Sequence, residues 1–307
     1  MDHFLQTKAW QTFQESLGRK SISDTGKDWS YRAYLESGSG NTRLYAPYGP
    51  TTSSPEGFHQ AIESLKQAAV KQSATFLRIE PTAGTDSTTL RKLGFKPVTY
   101  QKLNPTRTQI IDLSPSSEDI LKQMSQNSRN LTRNYSKKGI EIRSSADPAD
   151  IETLIELLAK VAKRNHITVH SDDYFRKQTS TLLPIGAARL YAASLDGKVI
   201  AAALVYDSSS TRYYAHAAAD DDYRKLSAGT ALVGQMILDA KAAGLKYFDL
   251  YGIAPDNQPN HPWAGFTKFK QSFGGYPVDY LGAWDLPLKP LPYYIYRYYQ
   301  SIRKRLP

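Results

Sequence analysis

The alternation of apolar and polar positions is clearest in the second half of the chain. Residues 188–194 form an apolar run closed by Asp196-Gly197, a dipeptide suited to the tight turn of a β-hairpin. Residues 198–206 and 211–218 read as two more strands, joined by the turn Asp207-Ser208-Ser209-Ser210. The apolar period then lengthens. Leu232, Met236, Ile237 and Ala240 share one helical face, predicting a helix over 229–243 that stops at Gly244. Residues 246–251 form a further strand.

The first half repeats much of this order. Strands over 30–35 and 42–46 flank the turn Ser37-Gly38-Ser39-Gly40. Ser54-Pro55-Glu56 opens a helix that ends near Gln72, with a capping hydroxyl and a proline in the first turn. A strand over 75–80 follows. Each unit is then trailed by a similar string, RKLGFKPV at 91–98 and KQSFGGYPV at 270–278, so the pattern reads as an internal duplication. Between the halves, 109–113 is a lead-in strand, residues 114–117 cap a helix, and 147–164 is another helix. Arg129, Arg133 and Lys137 at i, i+4 and i+8 predict a basic helical stripe, either a contact for a phosphate backbone or a solvated face.

Composition narrows the class. A chain of 307 residues suits two cores rather than one. Its 39 Lys and Arg against 29 Asp and Glu give a net charge of +10, which favours an anionic partner without choosing among nucleic acid, nucleotide-linked substrate and acidic membrane. The 21 tyrosines, against 10 Phe and 4 Trp, suit polar clefts or amphipathic strand surfaces. Without cysteine there is neither a disulfide framework nor a thiolate metal site. The start, MDHFLQTKAWQTF, lacks the features of a secretory signal, and no window approaches 18 apolar residues. The expected localisation is cytoplasmic. From 288 onward, Leu291, Ile295, Ile302 and Leu306 form an apolar stripe flanked by Arg297, Arg303, Lys304 and Arg305. It fits either packing onto the chain's own domain or peripheral contact with the inner membrane surface.

Three strands, a helix and a splayed parallel strand make the core of the GNAT acyltransferase fold. Two such units resemble the Fem peptidyltransferases, the FemX and FemABX group. The similarity rests on Gln6-Thr7-Lys8-Ala9-Trp10, Ala46-Pro47-Tyr48-Gly49-Pro50, Leu77-Arg78-Ile79-Glu80-Pro81, and the segments 225–232 and 247–253. Most specific is Trp263-Ala264-Gly265-Phe266-Thr267-Lys268-Phe269-Lys270, running on to Phe273-Gly274-Gly275. The resemblance implies an α/β (α+β) chain of two tandem GNAT-like acyltransferase domains, with mixed twisted sheets flanked by helices. The first would span 1–107 plus 283–307 on the precursor-binding side, and the second 108–282 on the side of the aminoacyl-tRNA acceptor end. The substrate cleft would lie between them or along the first. Residues 149–164 read as a single helix, so the chain resembles the compact members that lack a coiled-coil insertion.

The implied reaction moves an amino acid from aminoacyl-tRNA to the stem-peptide amine of a peptidoglycan precursor, UDP-linked or lipid-linked. The implied protein is a monomer with no cofactor beyond aminoacyl-tRNA as co-substrate. By resemblance Lys270 stabilises the tetrahedral intermediate with Phe269 beside it, and Glu80 receives a proton, orients the amine, or is a structural partner for Arg78. Arg78, Arg164, His170, Tyr174, His216 and Tyr251 line the substrate. Two departures are evident: His170 stands where compact members carry an arginine, and Gln14 where they carry a lysine.

Two other readings compete. Acetyl-CoA-dependent acylation would use Arg224-Lys225-Leu226-Ser227-Ala228-Gly229 as a pyrophosphate loop, but Ser227 occupies the place of the first glycine. A non-catalytic tRNA- or DNA-binding protein would use the positive charge, yet no recognised nucleic-acid module is present. His166 and His170, near Asp172 and Asp173, have i,i+4 spacing but fall where the helix ends, so no metal site is expected.

Overall fold

The computed structural model describes residues 3–303 except 39, 102, 166, 257, 259 and 260. The chain begins with α1 (Lys8–Ser16), β1 (Lys20–Thr25), β2 (Trp29–Gly38), β3 (Asn41–Ala46), β4 (Thr51–Thr52), α2 (Pro55–Lys71), β5 (Phe76–Ile79), α3 (Ser87–Lys92) and β6 (Lys96–Pro97). It continues through β7 (Arg107–Asp112), α4 (Ser117–Gln123), α5 (Gln126–Asn134), β8 (Ile140–Ser145), α6 (Ile151–Asn165), α7 (Asp172–Leu182) and β9 (Ala188–Leu195). Then come β10 (Lys198–Asp207), β11 (Thr211–Ala219), α8 (Ala228–Ala242), β12 (Tyr247–Gly252), α9 (Ala264–Gln271), β13 (Tyr276–Asp279), β14 (Trp284–Pro287) and α10 (Pro290–Arg303). Two compact units result: Met1–Thr106 with Asp279–Pro307, and Arg107–Val278.

The duplication is visible in the ladders. In the first unit β2 and β3 pair antiparallel, α2 crosses over, and β5 returns parallel to β3. In the second, β10 and β11 pair antiparallel, α8 crosses over, and β12 returns parallel to β11. The sheet orders are β1-β2-β3-β5-β14-β6, with β4 on β2, and β13-β7-β12-β11-β10-β9-β8. The strand beside each returning strand is exchanged between the repeats. β7 leaves the first repeat to pair with β12, and β14 leaves the second to pair with β5.

Local sequence explains the crossovers. Ser54 accepts from the Gly57 amide and Pro55 stands in the first turn of α2, which buries Phe58, Ile62 and Leu65 against Leu44, Leu77 and Ile79. Alternation along β5 sends Phe76 and Arg78 to the other face, where Phe76 meets Tyr293 and Tyr296 of α10. The second core gathers Ile111, Tyr191, Val205, Leu232, Met236, Ile237, Phe248, Leu250 and Phe273.

α1 and β1 were not foreseen, because both are short and polar along much of their length. The basic stripe is not continuous. α5 ends at Asn134, Lys137 lies in the 3-10 turn Tyr135–Lys138, and Arg133 pairs with Glu118.

Candidate active site

The two faces of β12 carry different residues. Phe248 and Leu250 enter the core, so Asp249 must face the opposite way. Asp249 is buried there and accepts from Thr108 Oγ1 on β7 and, at 2.7 Å, from the Tyr251 amide. Burial pushes its pKa up to about 6, against the pull of those hydrogen bonds and of the Lys270 charge.

The sheet opens at this point. Pairing of β11 with β12 reaches only Tyr213↔Asp249, and the β12–β7 register is irregular between Asp249 and Gly252. Tyr251 takes a left-handed φ of 64°, uncommon for an aromatic residue. Beyond it, the Gly252 carbonyl accepts a 2.7 Å hydrogen bond from Lys270 Nζ on α9.

Lys270 is part-buried. Burial lowers its pKa to about 8, and the Asp249 carboxylate offsets some of that fall. At neutral pH the ammonium is still mainly charged, yet close enough to its pKa to exchange a proton readily. One of its three donors is engaged by Gly252, and an oxyanion brought alongside would accept from another.

Phe269 is half-buried. It packs against the second core, edge-on to Phe273 with ring centroids 5.2 Å apart. One residue on, 100° around the helix, Lys270 points in a different direction, toward the Gly252 carbonyl.

A second group of predicted residues gathers at the same end of the second unit. His170 stacks on Tyr174 at 4.0 Å and lies edge-on to His216 at 5.9 Å, while Tyr206 and Phe175 also flank His216. Tyr206 interacts electrostatically with Tyr174 and Tyr251, and the Tyr213 and Tyr251 rings lie 6.3 Å apart. Tyr251 thus links this aromatic wall to the Lys270 centre. Burial lowers the His216 pKa to about 3, with His170 adding to the fall, so His216 is a neutral imidazole. Arg164 stands apart, exposed and paired with Asp221 at 2.8 Å.

The first unit holds the other predicted pair, and its two members differ. Arg78 is fully buried and spent on structure. It grips Asp285 with two bonds of 2.6 and 2.9 Å, and donates to Tyr100 Oη at 2.7 Å and Gln101 at 3.1 Å. Burial opposes its charge, but Asp285 outweighs that and holds the guanidinium protonated. The expectation that Arg78 touches substrate is therefore corrected: its donors face inward. Glu80, at the end of β5, is buried and accepts from Tyr45 Oη at 2.8 Å, Asn104 Nδ2 at 2.6 Å and the Tyr48 amide at 3.4 Å. Burial raises its pKa, with those bonds and the Arg78 charge pulling the other way. Gln14 is also buried, accepting from Arg19 at 2.6 Å, and its side chain is closed to a ligand. His166 lies outside the described residues.

Asp249 and Thr108 were missed from the sequence. The available signal was a lone carboxylate in the otherwise apolar or aromatic strand Tyr247-Phe248-Asp249-Leu250-Tyr251.

This geometry can be set beside known proteins. A profile of the acetyltransferase (GNAT) domain matches residues 122–263. The lipid II:glycine glycyltransferase of Staphylococcus haemolyticus (strain JCSC1435) is 21% identical over an alignment covering 86% of this chain and 81% of that protein. The crystal structure of FemX superposes with a TM-score of 0.87 at 18% identity, covering 96% of this chain and 94% of that one. The chain therefore shares the fold of FemX along nearly its whole length. The same doubled fold reaches further, to the L-PGS structure from Bacillus licheniformis, at a TM-score of 0.61 and 13% identity over 95% of both chains. The GNAT profile falls within the second unit, the one that holds Lys270, Asp249 and the aromatic wall.

Proposed function

We propose that the chain is an aminoacyltransferase of peptidoglycan interpeptide-bridge synthesis. It takes an amino acid from aminoacyl-tRNA and places it on the stem-peptide amine of a muropeptide precursor, UDP-linked or lipid-linked. The observation that carries this reading is the part-buried Lys270 ammonium, held by the Gly252 carbonyl beside the buried Asp249. The relation to a lipid II:glycine glycyltransferase, over 86% of this chain, supports the choice of acceptor.

The reaction is ester aminolysis. The amine forms a C–N bond to the aminoacyl carbonyl, whose oxygen becomes an oxyanion. Collapse breaks the C–O bond to the tRNA ribose, and the leaving oxygen takes up one proton as the attacking amine gives one up. The ester is already activated, so no covalent enzyme intermediate is required. The oxyanion is the hardest point to reach, and one placed donor contributes on the order of 3 kcal/mol there. Lys270 supplies that donor and can pass a proton to the leaving oxygen, because its lowered pKa brings it near neutrality. A lysine-type acceptor amine is only about one part in a thousand free base at pH 7, so a proton acceptor is also needed. Glu80, with a raised pKa and a single well-held oxygen, is assigned that task. Its three donors leave Oε1 uncommitted in the bonds described. The aromatic wall of His170, Tyr174 and His216, with Tyr251, is assigned to the precursor. With His216 neutral, it would work by stacking and hydrogen bonding more than by charge. Arg164, on the surface, is left a long-range electrostatic role.

The GNAT profile favours one rival, acetyl transfer from acetyl-CoA. In that loop Ser227 adopts a φ of 55°, a conformation better suited to the glycine it replaces. Incubating the chain with a panel of aminoacyl-tRNAs, acetyl-CoA and both precursor forms tests the proposal. An aminoacylated muropeptide that requires charged tRNA is the predicted product. Acetylated product alone would overturn it.

A further inference from the structure

The last helix has two contrasting faces. Tyr293 and Tyr296 of α10 are buried against Phe76 and Tyr100, and Arg297 turns inward to the Tyr293 hydroxyl and the Pro97 carbonyl. At 100° per residue these side chains occupy one side of the cylinder. Leu291, Tyr294, Ile295, Tyr298, Tyr299 and Ile302 fall together on the other, in an unbroken arc of roughly 140°. Leu291 is 73% exposed, Ile295 62% and Tyr298 71%. A soluble helix of this kind normally turns its apolar arc inward. This one buries two tyrosines and presents three aliphatic side chains and three further tyrosines to the outside.

The surrounding charge indicates what covers that face. After Asp285 the sequence contains no acidic residue, whereas Arg303, Lys304 and Arg305 at its end are all cationic; Lys289 and Arg297, also cationic, are engaged by Ser73 and by Tyr293 and Pro97. Arg303 closes the helix and is exposed. Two copies meeting through this face would bring like charges together, so a second copy of the chain is disfavoured. Tyrosine, with an apolar ring and a polar hydroxyl, suits the headgroup level of a bilayer, and a basic amphipathic helix lies in that plane.

We propose that the outward face of α10 docks the protein on an anionic lipid bilayer, Leu291, Ile295 and Ile302 entering the acyl boundary and the tyrosines resting at headgroup depth. The claim concerns a surface outside the transfer site and goes beyond the assigned reaction. Where the acceptor is lipid-linked, docking would hold enzyme and substrate on one surface.

The test is sedimentation of the full chain with vesicles of phosphatidylcholine alone or with about one third phosphatidylglycerol, at low and high salt, with no substrate present. Wild type is expected to bind the anionic vesicles, to release them as salt rises, and to leave neutral vesicles largely unbound. Leu291→Ser with Ile295→Ser and Tyr298→Ser should weaken binding at least tenfold with an unchanged thermal midpoint. Replacing Arg303, Lys304 and Arg305 with Gln should weaken it about 100-fold, since each basic residue near such a surface contributes about 1 kcal/mol. Failure of wild type to bind, equal binding to both vesicle types, or unchanged binding by the serine variant would overturn the proposal. So would a dimer of the wild type that the serine variant abolishes. Each result leaves the transfer reaction to be judged separately, on a water-soluble UDP-linked acceptor.

Discussion

Replacing Lys270 with methionine should make the protein more stable while removing its activity. The lysine pKa falls from 10.5 to about 8 on folding because burial penalises the ammonium. At 1.36 kcal/mol per unit, the native state carries an upper limit of about 3 kcal/mol of unfavourable charge burial at pH 7. Methionine fills similar volume without that charge but gives up the bond to Gly252 O, a loss of about 1 kcal/mol. The net gain is about 1–2 kcal/mol, or roughly 2–6 °C in the midpoint of a domain of this size. The pH dependence has a definite sign. Below about 8 lysine is charged in both states and its cost is present in full. Between about 8 and 10.5 the unfolded chain holds the extra proton, so wild-type stability rises with pH and the advantage of methionine shrinks. Calorimetric midpoints of both proteins at pH 7 and pH 10 measure the difference. A variant less stable than wild type at pH 7, or an advantage that does not change with pH, would refute the reasoning.

Other substitutions probe the remaining groups. Asp249→Asn removes the charge that lifts the Lys270 pKa but keeps an acceptor for Thr108 and the Tyr251 amide. The alkaline limb of the transfer rate should therefore shift to lower pH, as read from a pH–rate profile. Glu80→Gln retains an oxygen for Tyr45, Asn104 and the Tyr48 amide, so the midpoint should hold within a few degrees while transfer drops about 100-fold. Unchanged turnover in that variant would reduce Glu80 to a structural role. Arg78→Met leaves Asp285 buried without its partner and should cost about 3–5 kcal/mol in denaturant unfolding, much of it recovered by adding Asp285→Leu.

Much of this was legible in the sequence because the duplicated unit is local. Hairpin, crossover helix and returning strand are each set by turn residues, caps and apolar period within about 50 residues, and both copies appear where the pattern put them. What escaped detection was non-local. Arg78 looked like a ligand contact because its partner Asp285 lies 207 positions away, on a strand contributed by the other end of the chain. The exchange of β7 and β14 between the repeats has no signature in either strand alone. In the FKQSFGG string the motif identified the segment, but only helical geometry separates Phe269, turned into the core, from Lys270, held by Gly252. The partner Asp249 lay in view as a carboxylate opposite Phe248 and Leu250, and it gains meaning only from the bulge that brings Gly252 to α9.

The central claim is that the Lys270 ammonium meets the ester under attack. Single-turnover transfer from charged tRNA, by wild type and by Lys270→Ala, tests this most directly. A fall of about 100-fold or more in a variant that remains folded is predicted, with partial recovery on adding methylammonium. A rate near that of wild type would contradict it.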